Sequence, residues 1–141
     1  MSLPNLFNFI KKGKLILLAF FLFVSANAQQ LEINKVVAGE IKEGENQTFN
    51  LSVKKDDFFQ ILVWQKNTDI RLKLISPNSK TLTEINNSNS PEEPEKISYI
   101  ADETGEYKIE IEFVRSWKSP NNFELKLENL RPTIVSDKSQ I

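Results

Sequence analysis

Three groups of carboxylates are the side chains best able to do chemistry in this chain: Asp56-Asp57, Asp69 and Glu92-Glu93-Glu95. Their oxygens are the hard donors that a divalent cation takes. No D-x-D-x-D-G run is present to form a dedicated loop, and the alternative is that these acids are solvated turn residues, since Asp and Asn favour turns for their own reasons. Arg71, two residues after Asp69, also places a cation in that neighbourhood. Paired carboxylates for general acid and base work would have to converge in a cleft with a separation of about 5 to 9 Å. Glu110, Glu112, Glu124 and Glu128 alternate with apolar residues instead and fall on solvent faces. The chain has no His and no Cys. That excludes Ser-His and Cys-His catalysis, His-ligated zinc, disulfides and a thiol nucleophile. No catalytic residue is expected. Two tryptophans remain. Trp64 ends an apolar run and is expected in the core, whereas Trp117 sits in the polar stretch Arg115-Ser116-Trp117-Lys118-Ser119-Pro120. There Trp117 and Arg115 are the candidates for contact with a partner, the alternative for Trp117 being a cap on the end of the fold.

The elements that must position these groups are strands. Phe49, Leu51 and Val53 alternate with polar residues, as do Ile70, Leu72 and Leu74. Tyr107, Ile109, Ile111 and Phe113 form the cleanest period-2 run, and Phe123, Leu125 and Leu127 form a fourth. Phe58 to Trp64 has only Gln60 as a polar residue, which suits a central strand covered on both faces or one whose second face lies under a loop. Weaker strands are expected at Val36 to Ile41, Thr81 to Ile85 and Lys96 to Ile100. Turn chemistry separates them, at Gly44, Lys54 to Asp57, Asn67-Thr68, Ser76 to Ser79 and Glu103-Thr104-Gly105. Asn86 to Glu95 is the longest loop. About eight short strands at this spacing predict an all-β fold, an antiparallel, jelly-roll-like sandwich running from about Leu31 to Leu130. Leu130-Arg131-Pro132 is expected to stop the last strand, and Ser136-Asp137 to cap a helix too short to be ordered by itself.

Residues 1 to 28 stand apart from this pattern. Lys11, Lys12 and Lys14 precede ten uncharged apolar residues from Leu15 to Val24, and Ala26-Asn27-Ala28 supplies the small-x-small pattern of signal peptidase sites. The apolar run is about half of what a spanning helix needs. A helical signal peptide, cleaved between Ala28 and Gln29, is therefore expected, the alternative being an uncleaved membrane anchor, with export to a secreted or periplasmic location and no stable membrane insertion after cleavage. The 113 residues that remain suffice for one domain with one core. They carry fifteen basic and nineteen acidic residues, a net charge of −4, which gives no electrostatic footprint for nucleic acid. The expected domain plan is a signal peptide at 1–28, a sandwich at 29–132, and at 133–141 a truncated tail or the start of a following helical region. A monomer is expected.

Several segments resemble bacterial pre-peptidase C-terminal (PPC-type) domains. They are Gly39-Glu40-Ile41, Asp69-Ile70-Arg71-Leu72, the turn Ser76-Pro77-Asn78-Ser79-Lys80 and, most specifically, Ile100 to Ile109 with its Gly105-Glu106-Tyr107 strand start. In that motif Gly permits a tight turn or positive φ before the strand. The match runs from about residue 35 to 135 and is closest to the copy that follows the signal peptide in secreted tetratricopeptide-repeat proteins with a CHAT domain. The often-acidic position two after Asp69 is here Arg71. The resemblance implies a non-catalytic accessory or interaction module, the N-terminal domain of a larger repeat protein, with an unknown protein or glycan as partner. Some such domains look like calcium, collagen or carbohydrate binders, so the resemblance also admits a calcium-dependent binding domain, with Asp56, Asp57 and Asp69 as the ligands to examine. No other cofactor is expected. A small carboxylate-based hydrolase is the remaining alternative.

Overall fold

A computed structural model of the chain describes residues 28–87 and 93–141. The proposed signal segment, apart from Ala28, lies outside them. The described strands, in order, are β1 (Gln29–Gln30), β2 (Val36–Glu40), β3 (Asn46–Val53), β4 (Asp57–Gln65), β5 (Thr68–Ile75), β6 (Thr81–Ile85), β7 (Glu95–Ile100), β8 (Gly105–Ser116) and β9 (Asn122–Pro132), and a 3-10 turn spans Val135–Ser139. One sheet runs β1-β3-β8-β5-β6 and the other β2-β9-β4-β7. Apart from β1, the interleaved order is that of a jelly roll, and every pair of strands is antiparallel except β1 with β3. The expected all-β sandwich is thus the fold, with one short strand more than expected. Gln29 and Gln30 are exposed and polar, so alternation could not mark them.

The alternating faces meet in one core. Phe59, Ile61 and Val63 of β4, Ile70, Leu72 and Leu74 of β5, Tyr107, Ile109 and Ile111 of β8, and Phe123, Leu125 and Leu127 of β9 are all sealed from solvent. Phe59 packs edge-on against Tyr107 at 5.6 Å between ring centroids. Truncating a fully buried Phe of this kind costs about 3–5 kcal/mol. The Tyr107 hydroxyl donates to the Glu103 carbonyl at 3.1 Å and accepts from the Glu103 N–H at 3.3 Å, which closes the turn into β8. Burial raises the pKa of this phenol. Gly105 in the same turn has no positive φ. A Cβ there would stand 2.7 Å from the ring of Pro77, so close approach rather than backbone freedom demands glycine.

Irregularities in register adjust which residues face inward. The β4–β9 register shifts between Gln60 and Ile61, so Leu127 opposes Ile61 while Leu130 opposes Phe59. Two residues three apart thereby reach the core side, where strict alternation would have put Asn129. Trp64 keeps the parity of Leu62 and lies half-buried on the outer face, not in the core as expected. Phe58 shares that outer face yet is fully buried, because the guanidinium of Arg131 sits 5.0 Å from its ring centroid. The apolar run of β4 is therefore explained by the covered second face.

β9 ends at Pro132, opposite Asp57, within the expected stop at Leu130-Arg131-Pro132. The chain end departs from expectation at two points. The turn is capped at Ile134, not at Ser136-Asp137. And the segment has a fixed place: Asp137, fully buried, accepts from Nη1 and Nη2 of Arg131 at 2.7 Å each and from the Ile134 N–H at 2.7 Å. A bidentate ion pair with an added backbone donor supplies the order that helix propensity could not.

Candidate functional site

The sandwich has two loop ends, and the acids singled out in the sequence divide between them. Asp56 lies in the β3–β4 turn at one end with φ +66°, the left-handed conformation that Asp tolerates. Its N–H donates to Ala101 O at 2.8 Å, and its carbonyl accepts from the Thr133 hydroxyl at 2.5 Å. Asp57 opens β4 beside it. Asp69 is the second residue of β5, at the far end. The three candidate ligands are not brought together, and no group of three or more acids able to hold a metal occurs among the described residues. Glu93 is exposed. Glu110 and Glu112 lie on the outer face of the five-stranded sheet, tied to cations of β5: Arg71 reaches Glu112 and Glu84 at 3.2 Å each, and Lys73 holds Glu112 and Glu110. Hydrogen bonding to Glu112 raises the Lys73 pKa, and Lys73 lowers that of Glu112. Arg71 therefore belongs to this ladder, and the cation on Asp69 is Arg115.

That ion pair anchors the end where Trp117 lies. Asp69 is 3% exposed, and its Oδ2 forms an ion pair with Arg115 Nε at 3.0 Å. A register shift opposite β8, between Asp69 and Ile70, lets a residue out of parity with Ile70 turn inward. Gln65, at the end of β4, continues the inward parity of Phe59, Ile61 and Val63 and is 1% exposed. Its Oε1 accepts from the Ile70 N–H at 3.1 Å, and its Nε2 donates to Glu95 Oε1 at 2.9 Å. Glu95, which opens β7 and is 5% exposed, also accepts from the Asn87 N–H at 2.8 Å. Burial pushes the Glu95 carboxyl up to about 7, the neighbouring charge of Asp69 adds to the rise, and the two hydrogen bonds oppose it. Asp69 Oδ1 and Glu95 Oε2 are both sealed and have no partner among the described residues. The fold has assembled a carboxylate pair that residue spacing alone does not reveal. The available signal was parity: Gln65 extends the inward series of β4, and Glu95 extends that of Ile97 and Tyr99 in β7. With both free oxygens closed off from solvent, the pair offers a substrate no access in this conformation.

Around this buried knot the surface is firmly held. The carbonyl of Asn67 accepts from the N–H groups of Trp117 and Lys118 at 3.0 and 3.2 Å, and the Asn67 side chain donates to Pro120 O at 3.2 Å. Asn121 O accepts from the Ile41 N–H at 3.0 Å, and the Asn121 side chain meets the Ser116 hydroxyl at 2.5 Å. The loop 117–121 is thus fastened at both ends, with Ser119–Pro120 cis. Trp117 remains 41% exposed on it. The Arg115 side chain is 59% exposed, and its ion pair with Asp69 runs through Nε. Arg115 and Trp117 therefore stand at one end of the sandwich, an aromatic plate and a guanidinium fork on a preorganised support.

No family model matches this chain, and no curated protein matches it in sequence. Solved structures do match. The pre-peptidase C-terminal domain of the collagenase from Bacillus anthracis superposes with a TM-score of 0.57 at 13% identity, covering 72% of this chain and 94% of that domain. PliG from Aeromonas hydrophila, a periplasmic inhibitor of g-type lysozyme, superposes with a TM-score of 0.53 at 9% identity, covering 72% and 96%. At these identities the likeness is one of fold. It bears out the resemblance to a PPC-type β-sandwich.

Proposed function

We propose that this chain is a non-catalytic, extracytoplasmic interaction module that meets a protein partner through the end carrying Trp117 and Arg115. The observation that carries the proposal is preorganisation. Asn67 fixes the Trp117 backbone, and buried Asp69 pairs with the Arg115 guanidinium through Nε, so part of the ordering cost of an interface here is met before a partner arrives. Exposed Trp and Arg on a rigid support are the residue types that dominate protein interfaces. The fold likeness supports a module of this kind, since one structural neighbour is a pre-peptidase C-terminal domain of a collagenase and another is an inhibitor of lysozyme. Export would follow from the signal segment. Cleavage between Ala28 and Gln29 would leave the sandwich whole, because β1 begins at Gln29.

The experiment is a binding screen of the chain against purified extracytoplasmic proteins, g-type lysozyme among them, and against a glycan array, read by Trp fluorescence and interferometry. A saturable protein hit that weakens at least about tenfold in both Trp117→Ala and Arg115→Ala, with Tm unchanged, supports the proposal. Binding indifferent to both substitutions overturns the assignment of the surface. Reproducible turnover of a peptide or glycan, lost on substituting Asp69 or Glu95, would establish the hydrolase instead. N-terminal sequencing of the exported protein tests the compartment, and an intact Met1 in the cytosol would refute it.

A further inference from the structure

The two flanks of the sandwich are finished differently. On one, the chain passes from β1 at the edge of the five-stranded sheet to β2 at the edge of the other, and buried Leu31 closes the gap between them. The crossing is fixed by Leu31 N–H to Asn50 O and Asn34 N–H to Leu127 O, both 2.8 Å. On the opposite flank the edge strands are β6 and β7, and a groove of about 770 Å³ opens beside them. Its walls are mostly apolar, with Ile85 of β6, Ile97 and Tyr99 of β7 and Ile141 of the tail among them. It lies away from the Trp117 loop.

Of the four sheet edges among the described residues, β7 is the one best suited to accept another strand. β1 has two residues, β2 has five and includes Gly39, and β6 carries an irregularity opposite Leu74 and Ile75. β7 has six residues in unbroken register with β4, from Phe58 opposite Ile100 to Val63 opposite Glu95. Bulges and very short strands are the usual protections of an edge, and β7 has neither. Its outer side leaves a row of backbone donors and acceptors without strand partners among the described residues. Six residues of extended chain span about 20 Å.

The charge around the groove selects among guests. Lys96 of β7 and Lys138 of the tail line it, and neither has a carboxylate partner among the described residues. The one acid lining it among the described residues, Asp102, accepts from the Tyr99 hydroxyl at 2.5 Å. Burial and the charge of Asp102 push that phenol up to about 12, so it remains a donor at neutral pH. Among the described residues the groove therefore carries two lysines against the one Asp102 carboxylate, which is engaged by Tyr99.

We propose that the β6–β7 groove receives an extended peptide segment of alternating apolar and acidic residues, which pairs with β7 as an added strand, buries its apolar side chains in the groove and sets its carboxylates against Lys96 and Lys138. Main-chain pairing supplies affinity in this mode and alternate side chains supply selectivity.

The test uses the full chain and a fluorescent, amidated hexapeptide of alternating valine and glutamate, with a valine–lysine hexapeptide as control. The expected result is saturable binding of the glutamate peptide, at least about tenfold tighter than the control and weakened about tenfold in Lys96→Glu/Lys138→Glu. Amide exchange should slow at Lys96 to Ile100, and Trp117→Ala should leave binding unchanged. Both lysines are solvent-exposed, so the double variant should keep the parental Tm, which separates lost binding from lost folding. Equal binding of the two peptides, protection at β2 or β6 instead of β7, or no saturation below about 1 mM would overturn the proposal. Binding lost in Trp117→Ala would overturn it too, while favouring the other surface.

Discussion

Asp137 and Glu95 are both buried carboxyls, one at each end of the sandwich, and they are held in opposite ways. Asp137 receives the fork of Arg131 and a backbone N–H, and those hydrogen bonds pull its pKa below the usual carboxylate range despite burial. Glu95 receives a neutral amide from Gln65 and one backbone N–H, keeps a sealed oxygen without a partner among the described residues, and feels the charge of Asp69. Its pKa rises to about 7. Burial alone does not decide the state of an acid. A cation of matching geometry keeps Asp137 ionised, and its absence leaves Glu95 holding a proton well into the neutral range.

Removing the cation should break the comparison most sharply. In Arg131→Met, Asp137 would be left in its buried place with the Ile134 N–H alone, and Phe58 would lose its cover. Breaking a buried pair from one side leaves an uncompensated charge, so Tm should fall further in this variant than in any substitution at Glu95 or Asp69, with fast amide exchange across residues 133–141. Arg131→Met combined with Asp137→Leu should recover part of the loss. Because the native pKa of Asp137 is lowered, its contribution is present above the unfolded-state value near 3.8 and disappears as pH falls through the native one. A Tm for Arg131→Met within about 1 °C of the parent would show that the pair contributes nothing.

At Glu95 the slope has the opposite sign. Its native pKa is above the unfolded value of 4.5, so the native state holds more protons between about 4.5 and 7. Stability should therefore fall as pH rises through that window, by about 1–2 kcal/mol once partial screening is allowed for. Glu95→Gln keeps an acceptor for Gln65 and Asn87 and cannot ionise. It should flatten this part of the pH profile and exceed the parent in stability at pH 8, measured by urea unfolding between about pH 4.5 and 8.5. An unchanged slope would place the titration elsewhere.

Much of this molecule is legible in the sequence because one physical rule governs it. Strands with one wet face must alternate, and Phe49 to Val53, Ile70 to Leu74 and Tyr107 to Ile111 do so without exception. What escaped lies where alternation is broken or where polar residues occupy the inward positions. The register shift that carries Leu130 inward and the one that buries Asp69 each alter parity at a residue with no distinguishing chemistry. Gln65 and Glu95 obey parity but look like the beginning and end of loops, Gln65-Lys66-Asn67 and Glu92-Glu93-Pro94-Glu95. The Arg131–Asp137 pair joins a strand to a tail through geometry that a spacing of six residues does not encode. At the candidate site, Arg115 and Trp117 were visible as exposed types in a polar stretch, whereas of their anchors Asp69 was visible only as a candidate cation ligand and Asn67 only as a turn residue.

Asp69 gives the finest test of the comparison, because it joins the buried pair to the surface. Its carboxylate has two consequences: it raises the pKa of Glu95 through space, and it holds Arg115 through Nε. Asp69→Asn has nearly the same shape and no charge. Glu95 would then lose its repulsive neighbour, and its midpoint, followed by the carboxyl carbon resonance in NMR, should move down from about 7 toward the ordinary carboxylate range without reaching it, because burial is the larger cause of the rise. Arg115 would lose its ion-pair partner, so its side chain should sample more rotamers. The exposed guanidinium offsets much of the energetic change with water, so Tm should move least in this variant. The two readouts answer different questions. A lowered Glu95 midpoint with Arg115 still rigid would mean that packing, not Asp69, orients the fork, whereas a mobile Arg115 with Glu95 still near 7 would mean that desolvation alone sets the buried carboxyl.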